Sequence, residues 1–329
     1  MNLTWVTFLK SNNRFFPENS TKPLTDSLEN NDHLIAALPH LATLQVTGLD
    51  ANTFLQGQLS CDINELTESK SFFAAFCNAK GRTISTLLII KRTHDFILLL
   101  PVELLEKVSK KLQMYIMRSD VQLNNMQDEL CLIGINSTNT FPEFPQENFA
   151  VSHKNGAILI KLPLRDNRHL IISPASEAIS LWKGLTSNSA LVPCHSSLWV
   201  EQDISAGIPW LNQENSEEYI PQMLNIDKLG GISYTKGCYT GQEIIARTHY
   251  LGKAKRELFL AYCKKAAIIS IGTQIITDTN EQIVGKVLSL QSNNYHTKML
   301  VVMHSADTEL KNLILNNSNQ DKINIIDFQ

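Results

Sequence analysis

Lys236-Gly-Cys-Tyr-Thr-Gly-Gln-Glu243 sets one thiol between two glycines, directly ahead of the apolar pair Ile244-Ile245. Thr240 and Glu243 stand three apart in front of that pair, the spacing of a capping box, and this predicts a helix that begins at Thr240. Cys238 would then lie within about one turn of the positive end of a helix dipole, with Lys236 close by, and both favour thiolate over thiol. The same residues also read as a tight loop, in which Gly237 and Gly241 only shape the backbone and Cys238 is a small buried filler.

Downstream, Gly252 ends the helix. From Glu257 the pattern changes to short strands, Leu258 to Cys263, Gln274 to Thr277, Gln282 to Leu290, Met299 to His304 and Lys322 to Phe328, which predict a small β-barrel over 253–329 with a boundary near Lys253. Upstream, Leu41, Thr43 and Gln45 alternate with Ala42, Leu44 and Val46 as a strand ended by Gly48, and Asp50 is placed to cap a helix through Phe54, Leu55 and Leu59. Phe72 to Cys77, Thr83 to Lys91 and Phe96 to Leu100 follow as strands, the first two joined by the turn Asn78-Ala-Lys-Gly81. Pro101 then opens a helix with Leu104, Leu105, Val108, Leu112 and Ile116 at helical spacing. A second α+β unit follows, with strands over Glu129 to Ile135, Ala157 to Leu162 and His169 to Ile172. Its helices cover Ser176 to Leu185 and Ser197 to Ala206, the latter stopped by Gly207 and Pro209. The α+β body thus covers 33–252. Residues 1–32, rich in Asn, Ser and Pro from Ser11 to Asp32 and without hydrophobic period, read as an extended arm.

A chain of 329 residues exceeds the size at which single cores stop growing, so two or three packed units are expected. Hydrophobic residues at 43% and charged ones at 19% fit an ordinary globular chain and exclude fibrous and solenoid classes. A net charge of −3 gives no global attraction to nucleic acid or to an anionic membrane. The longest apolar runs, Leu87 to Ile90 and Phe96 to Leu100, are too short to span a bilayer, and Met1 to Lys10 lacks the charged and apolar regions of a signal peptide. The six cysteines, Cys61, Cys77, Cys131, Cys194, Cys238 and Cys263, are too scattered for a disulfide framework, and the nine histidines show no metal-ligand spacing. A cytoplasmic protein with reduced thiols and no metal site is expected.

Five segments stand in one order along the chain: Val46-Thr-Gly-Leu-Asp50 with Phe54-Leu-Gln-Gly-Gln58, Cys77-Asn-Ala-Lys-Gly81, Ala206-Gly-Ile-Pro209, Ile220-Pro-Gln222, and Gly231-Ile-Ser-Tyr-Thr-Lys-Gly-Cys-Tyr-Thr-Gly-Gln-Glu243. With them the chain resembles the YgfZ family, folate-binding relatives of the glycine-cleavage T-protein, over most of Leu41 to Arg256. The resemblance implies an α+β fold, a T-protein-like ring of α+β units around a central folate cleft with a C-terminal β-barrel, and tetrahydrofolate or a derivative as ligand. It also implies an accessory role toward iron–sulfur enzymes, including those that methylthiolate tRNA. Two positions depart from the pattern. In the T-protein the turn matching Asn78 to Gly81 is followed by an Asp pair whose second member works on the folate nitrogen; Ser85 and Thr86 stand there in this chain. A hydroxyl does not replace a carboxylate as acid or base near neutral pH, which argues against aminomethyl transfer. Leu41 takes a place where the family can have a tryptophan facing the folate, while Trp199 keeps the second aromatic place.

Cys238 is the candidate reactive thiol, with Lys236 beside it. Trp199 would stack on the pterin, Leu41 would give an aliphatic wall, and Gln56 and Gln58 would hydrogen-bond the pterin edge. Arg247, Lys253, Lys255 and Arg256 form a basic run suited to the carboxylates of a folate glutamate tail or to RNA phosphate, and Lys80 and Arg82 could meet an anion. Each has a plainer reading: a core tryptophan, a polar helix surface, cations drawn to a helix C-terminus, a solvated turn. Three functions stay open, namely the folate-binding accessory protein, a tetrahydrofolate-dependent one-carbon transferase, and a non-catalytic adaptor with folate as a structural ligand.

Overall fold

The computed structural model describes residues 1–11, 33–163, 167–188, 191–252, 254–264, 268–278, 281–304 and 313–328. Its contacts divide it into two units, the first made of Met1–Phe54, Ile63–Phe72 and Leu88–Trp199, the second of Leu55–Asp62, Phe73–Leu87 and Val200–Gln329.

In the first unit a six-stranded sheet runs in the order Val192–Pro193, Leu34–Ala37, Leu130–Asn136, Arg168–Pro174, Ala157–Lys161, Val151–Lys154. All neighbours are antiparallel except the first pair. The two-residue period of a strand sets its faces. Cys131, Ile133 and Ile135, with Leu159 and Ile171 from the neighbouring strands, form one core cluster with Trp5 and Leu9 of the helix Leu3–Ser11 and Trp182 of the helix Ala175–Asn188. The Trp5 and Trp182 rings meet edge-on at 5.5 Å. The extended arm expected over 1–32 is therefore corrected for its first part: Trp5 and Leu9, four apart, lie on one helical face and are both buried. The rest of that arm, 12–32, lies outside the described residues.

Also in the first unit, Leu88–Lys91 pairs with Phe96–Pro101, which pairs with Leu41–Thr47, which pairs with Gln122–Asn125, all antiparallel. The helix Leu105–Ile116 buries Leu105, Val108, Leu112 and Ile116. It starts at Leu105 rather than at Pro101, because Pro101 closes the strand and Val102–Leu104 makes a 3₁₀ turn first.

The second unit contains a closed barrel of strands Arg256–Cys263, Thr297–His304, Ile283–Ser292, Gln274–Thr277, Leu313–Leu315 and Lys322–Ile326, the last pairing back to the first. Ala261, Ile275, Val287, Met299, Val301 and Leu315 are among the side chains that fill it. The chain thus adopts the expected α+β architecture with a barrel in its C-terminal region. Lys253 itself lies outside the described residues. Two asparagines tie the preceding stretch to the barrel: Asn215 Nδ2 donates to the Leu288 carbonyl at 2.9 Å and Asn225 Nδ2 to that of Leu258 at 3.0 Å.

Candidate functional site

The loop Gly231–Gly241 belongs to the second unit and is received there by backbone carbonyls of the stretch Leu55–Asp62. Gly57 accepts from Thr240 N at 3.1 Å and Ser60 from Ser233 N at 2.8 Å, while Leu59 and Cys61 both accept from Lys236 Nζ, at 2.9 and 2.7 Å. The Ser60 hydroxyl donates to the Gly231 carbonyl at 2.6 Å and accepts from Ala75 N at 2.9 Å, so one small side chain joins the loop to the strand Phe72–Cys77.

The helix after the loop is Gln242–Leu251, which corrects the expected start at Thr240. Gly241 precedes it in the left-handed region, at φ 86, with no side-chain cap. The capping box does not form because both groups of Thr240 are engaged elsewhere: its Oγ1 donates to Gln58 Oε1 at 3.4 Å and its N–H to the Gly57 carbonyl at 3.1 Å. Only glycine fits at 241. A Cβ there would come within 2.6 Å of the Asn78 carbonyl oxygen and 2.9 Å of Gly81 Cα. The turn Asn78–Arg82 is thereby pressed against the helix start, and Asn78 holds it: its Oδ1 accepts from Lys80 N and Arg82 N at 2.9 and 3.1 Å, and its Nδ2 donates to Glu217 Oε2 at 2.7 Å.

Lys236 is 7% exposed, with the Tyr239 ring centroid 4.9 Å from its Nζ. Burial pushes its ammonium down to about 8, opposed by the nearby Cys61 and Asp62. Cys238 is exposed, whereas Cys61, Cys77, Cys131, Cys194 and Cys263 are all buried. Burial pushes the thiols of Cys77, Cys131 and Cys194 up to about 12, the Thr83 hydrogen bond partly offsetting this at Cys77. One thiol is reachable and five are withdrawn. The reading of Cys238 as a buried filler is therefore set aside.

Gln56 Nε2 donates to Asp62 Oδ1 at 2.9 Å. Arg247 and Lys255 are exposed, with no hydrogen bond or ion pair among the described residues. Arg256 Nε instead donates to His304 Nε2 at 3.3 Å, and Arg82 donates to the Glu218 carbonyl at 2.7 Å. Ser85 and Thr86 are fully buried. Ser85 Oγ donates to the Thr86 carbonyl at 2.9 Å; Thr86 Oγ1 donates to that of Pro209 at 2.7 Å and accepts from Leu211 N at 3.3 Å. Sequence reasoning missed Ser60, and it missed the stack of Tyr234 on His249, with centroids 3.7 Å apart and planes within 13°. Neither carries a sequence signal of its own, since both are made by residues brought together over long separations.

Trp199 and Leu41 belong to the first unit. Trp199 is 2% exposed, with the Arg168 guanidinium 4.2 Å from its ring centroid. A Cβ on Gly134 would lie 2.4 Å from Trp199 Cε3, so the glycine lets the ring rest on the sheet. The indole N–H is buried without a partner among the described residues. Leu41 lines, with Met1, Trp5, Leu38 and Gln127, a cavity of about 30 Å³. Ligand pockets measure roughly 300–1,000 Å³, so this cavity does not itself hold a folate. Arg247 and Lys255, exposed and without a partner among the described residues, carry the charge that carboxylates take.

Among the described residues no group of three or more His, Cys, Asp or Glu side chains is placed to hold a metal ion, and no helix is long and apolar enough to cross a membrane. No protein-family model matches the chain. Among solved structures, the heterotetrameric sarcosine oxidase from a Corynebacterium species, in complex with pyrrole 2-carboxylate, matches 45% of this chain and 84% of that one at 11% identity; its TM-score of 0.29 is too low to carry an argument. The glycine cleavage system aminomethyltransferase T from Bartonella henselae matches 91% of this chain and 86% of that one at 13% identity, with a TM-score of 0.70. The chain therefore shares the fold of that aminomethyltransferase.

Proposed function

We propose that this protein binds tetrahydrofolate or a derivative and acts in the cytoplasm as an accessory protein for iron–sulfur enzymes of tRNA modification, with Cys238 as its reactive thiol. The observation that carries the reading is the exposure of this thiol alone among six, on a loop anchored at both ends by backbone carbonyls. The likeness of fold to aminomethyltransferase T supports the folate part. The resemblance of the segment Gly231 to Glu243 supports the iron–sulfur and tRNA part. Aminomethyl transfer is disfavoured, because the hydroxyls of Ser85 and Thr86 are buried and spent on backbone carbonyls.

For the ligand we assign Gln56 and Gln58 to the pterin edge and Arg247 and Lys255 to the glutamate tail, all in the second unit. Trp199 and Leu41, in the first unit, are both buried, and a pterin that stacks on Trp199 must displace Arg168, since the ring also rests on the sheet at Gly134. Calorimetric titration with tetrahydrofolate tests these roles: Trp199→Ala should weaken binding and Leu41→Trp should strengthen it, and unchanged affinity in both removes the two residues from the site. The function is tested by complementation of a deletion strain. Cys238→Ala and Cys238→Ser should fold and bind folate normally yet fail to restore tRNA methylthiolation, because a hydroxyl stays protonated where a thiolate is needed. Full restoration by either variant would leave the adaptor as the better account.

A further inference from the structure

An ammonium can assist a neighbouring thiol through its charge or through the backbone it holds, and the geometry around Lys236 separates the two. A lysine has three N–H donors. Two of them run to the Leu59 and Cys61 carbonyls, at 2.9 and 2.7 Å, and the Tyr239 ring covers the nitrogen at 4.9 Å. The head group thus points into the protein, at a residue 7% exposed, while Cys238 is exposed. A group in contact with water sits in a high dielectric, where the same charge acts on it more weakly.

The two carbonyls that Lys236 grips flank Ser60. The Ser60 carbonyl accepts from Ser233 N and its hydroxyl donates to the Gly231 carbonyl; on the far side of Cys238, the Gly57 carbonyl accepts from Thr240 N. The backbone N–H of Lys236 closes the turn on Ser233 Oγ at 3.2 Å. We infer that Lys236 is a positioning residue: it pins the loop that presents Cys238 to solvent, and it is not the counter-charge of that thiol. This role takes Cys238 to be the working thiol, as proposed above.

The test uses the full chain and three variants. Lys236→Met removes charge and donors, Lys236→Gln removes the charge but keeps an N–H₂ that can reach a carbonyl, and Ser60→Ala removes an anchor without touching charge. Two readouts are taken: hydrogen exchange of the peptide spanning Gly231 to Glu243, and the pH profile of Cys238 alkylation by iodoacetamide. Lys236→Met and Ser60→Ala should each speed loop exchange by about tenfold or more, with Lys236→Gln in between. All three should keep the wild-type midpoint of the alkylation profile. A midpoint raised by Lys236→Gln or Lys236→Met but not by Ser60→Ala, or loop exchange unchanged in the lysine variants, overturns the inference. Should Lys236→Met fail to fold, Lys236→Gln decides alone. Complementation by Cys238→Ala would end the proposed function while leaving these exchange rates and midpoints as they are, so the two failures are distinguishable.

Discussion

The barrel and the loop that carries Cys238 share one unit but are held by different forces. The barrel interior is closed by apolar side chains such as Ile275, Val287, Met299, Val301 and Leu315, each at or near zero exposure, and its stability follows the apolar area withdrawn from water. The loop exposes Thr235, Gly237 and Cys238 and buries Gly231, Lys236 and Tyr239. It is set by hydrogen bonds to four carbonyls and by the close approach of Gly241 to Gly81. A packed interior tolerates volume-conserving exchange, whereas this loop should keep its stability under exchange at Gly237 and lose it under exchange at its anchors.

Substitutions at the anchors should break the contrast most. Gly241→Ala adds left-handed strain and a Cβ 2.6 Å from a carbonyl oxygen, so a loss of about 4 kcal/mol in urea unfolding is expected, or else a displaced loop seen as faster exchange. Next comes the barrel: Leu315→Ala should cost about 3 kcal/mol by its cavity, while the alkylation rate of Cys238 in the folded protein stays at the wild-type value. A changed rate would mean that barrel packing sets the loop after all.

A smaller and pH-dependent effect belongs to Lys236. Its folded value of about 8 lies below the ordinary 10.5, so between these the unfolded chain holds more of this proton and the folded state gains stability as pH rises through the window. That gain is absent below about 8. The buried Cys77, Cys131 and Cys194, pushed up to about 12, act with the opposite sign above their ordinary 9.0, but do so equally in Lys236→Met. The wild-type midpoint minus that of Lys236→Met should therefore rise from pH 8 to pH 10; a flat difference would show that burial does not depress this lysine. The smallest effect is expected at the tip. Gly237 has nothing within 4 Å of a would-be Cβ, and Gly237→Ala should change stability by no more than about 0.5 kcal/mol.

The same contrast explains what was legible in the sequence. Barrel strands such as Met299 to His304 announce themselves by β-branched and apolar runs between turn residues, but Leu313–Leu315 spans three residues and shows no period. The helix Leu3–Ser11 was hidden because its apolar spacing is short and adjoins a polar stretch. At the loop, sequence spacing located the thiol and its glycines. It misplaced the helix start, since the hydroxyl of Thr240 is drawn to Gln58, far away in the chain, and Gly241 supplies the left-handed turn that a capping box would not allow. Lys236 was legible as a cation near the thiol, while its true partners, the carbonyls of Leu59 and Cys61, carry no side-chain signature. The Arg168 guanidinium over Trp199 is likewise a long-range pairing that no local pattern encodes.

Native-state alkylation tests the central claim most directly. The folded protein is treated with iodoacetamide near pH 8, quenched, digested and read by mass spectrometry, with a denatured sample as reference. One adduct is expected, on the peptide carrying Cys238, with the other five thiols modified only after unfolding. Modification of Cys61 or any other buried thiol ahead of Cys238, or a Cys238 that stays unmodified in the folded chain, would contradict the account.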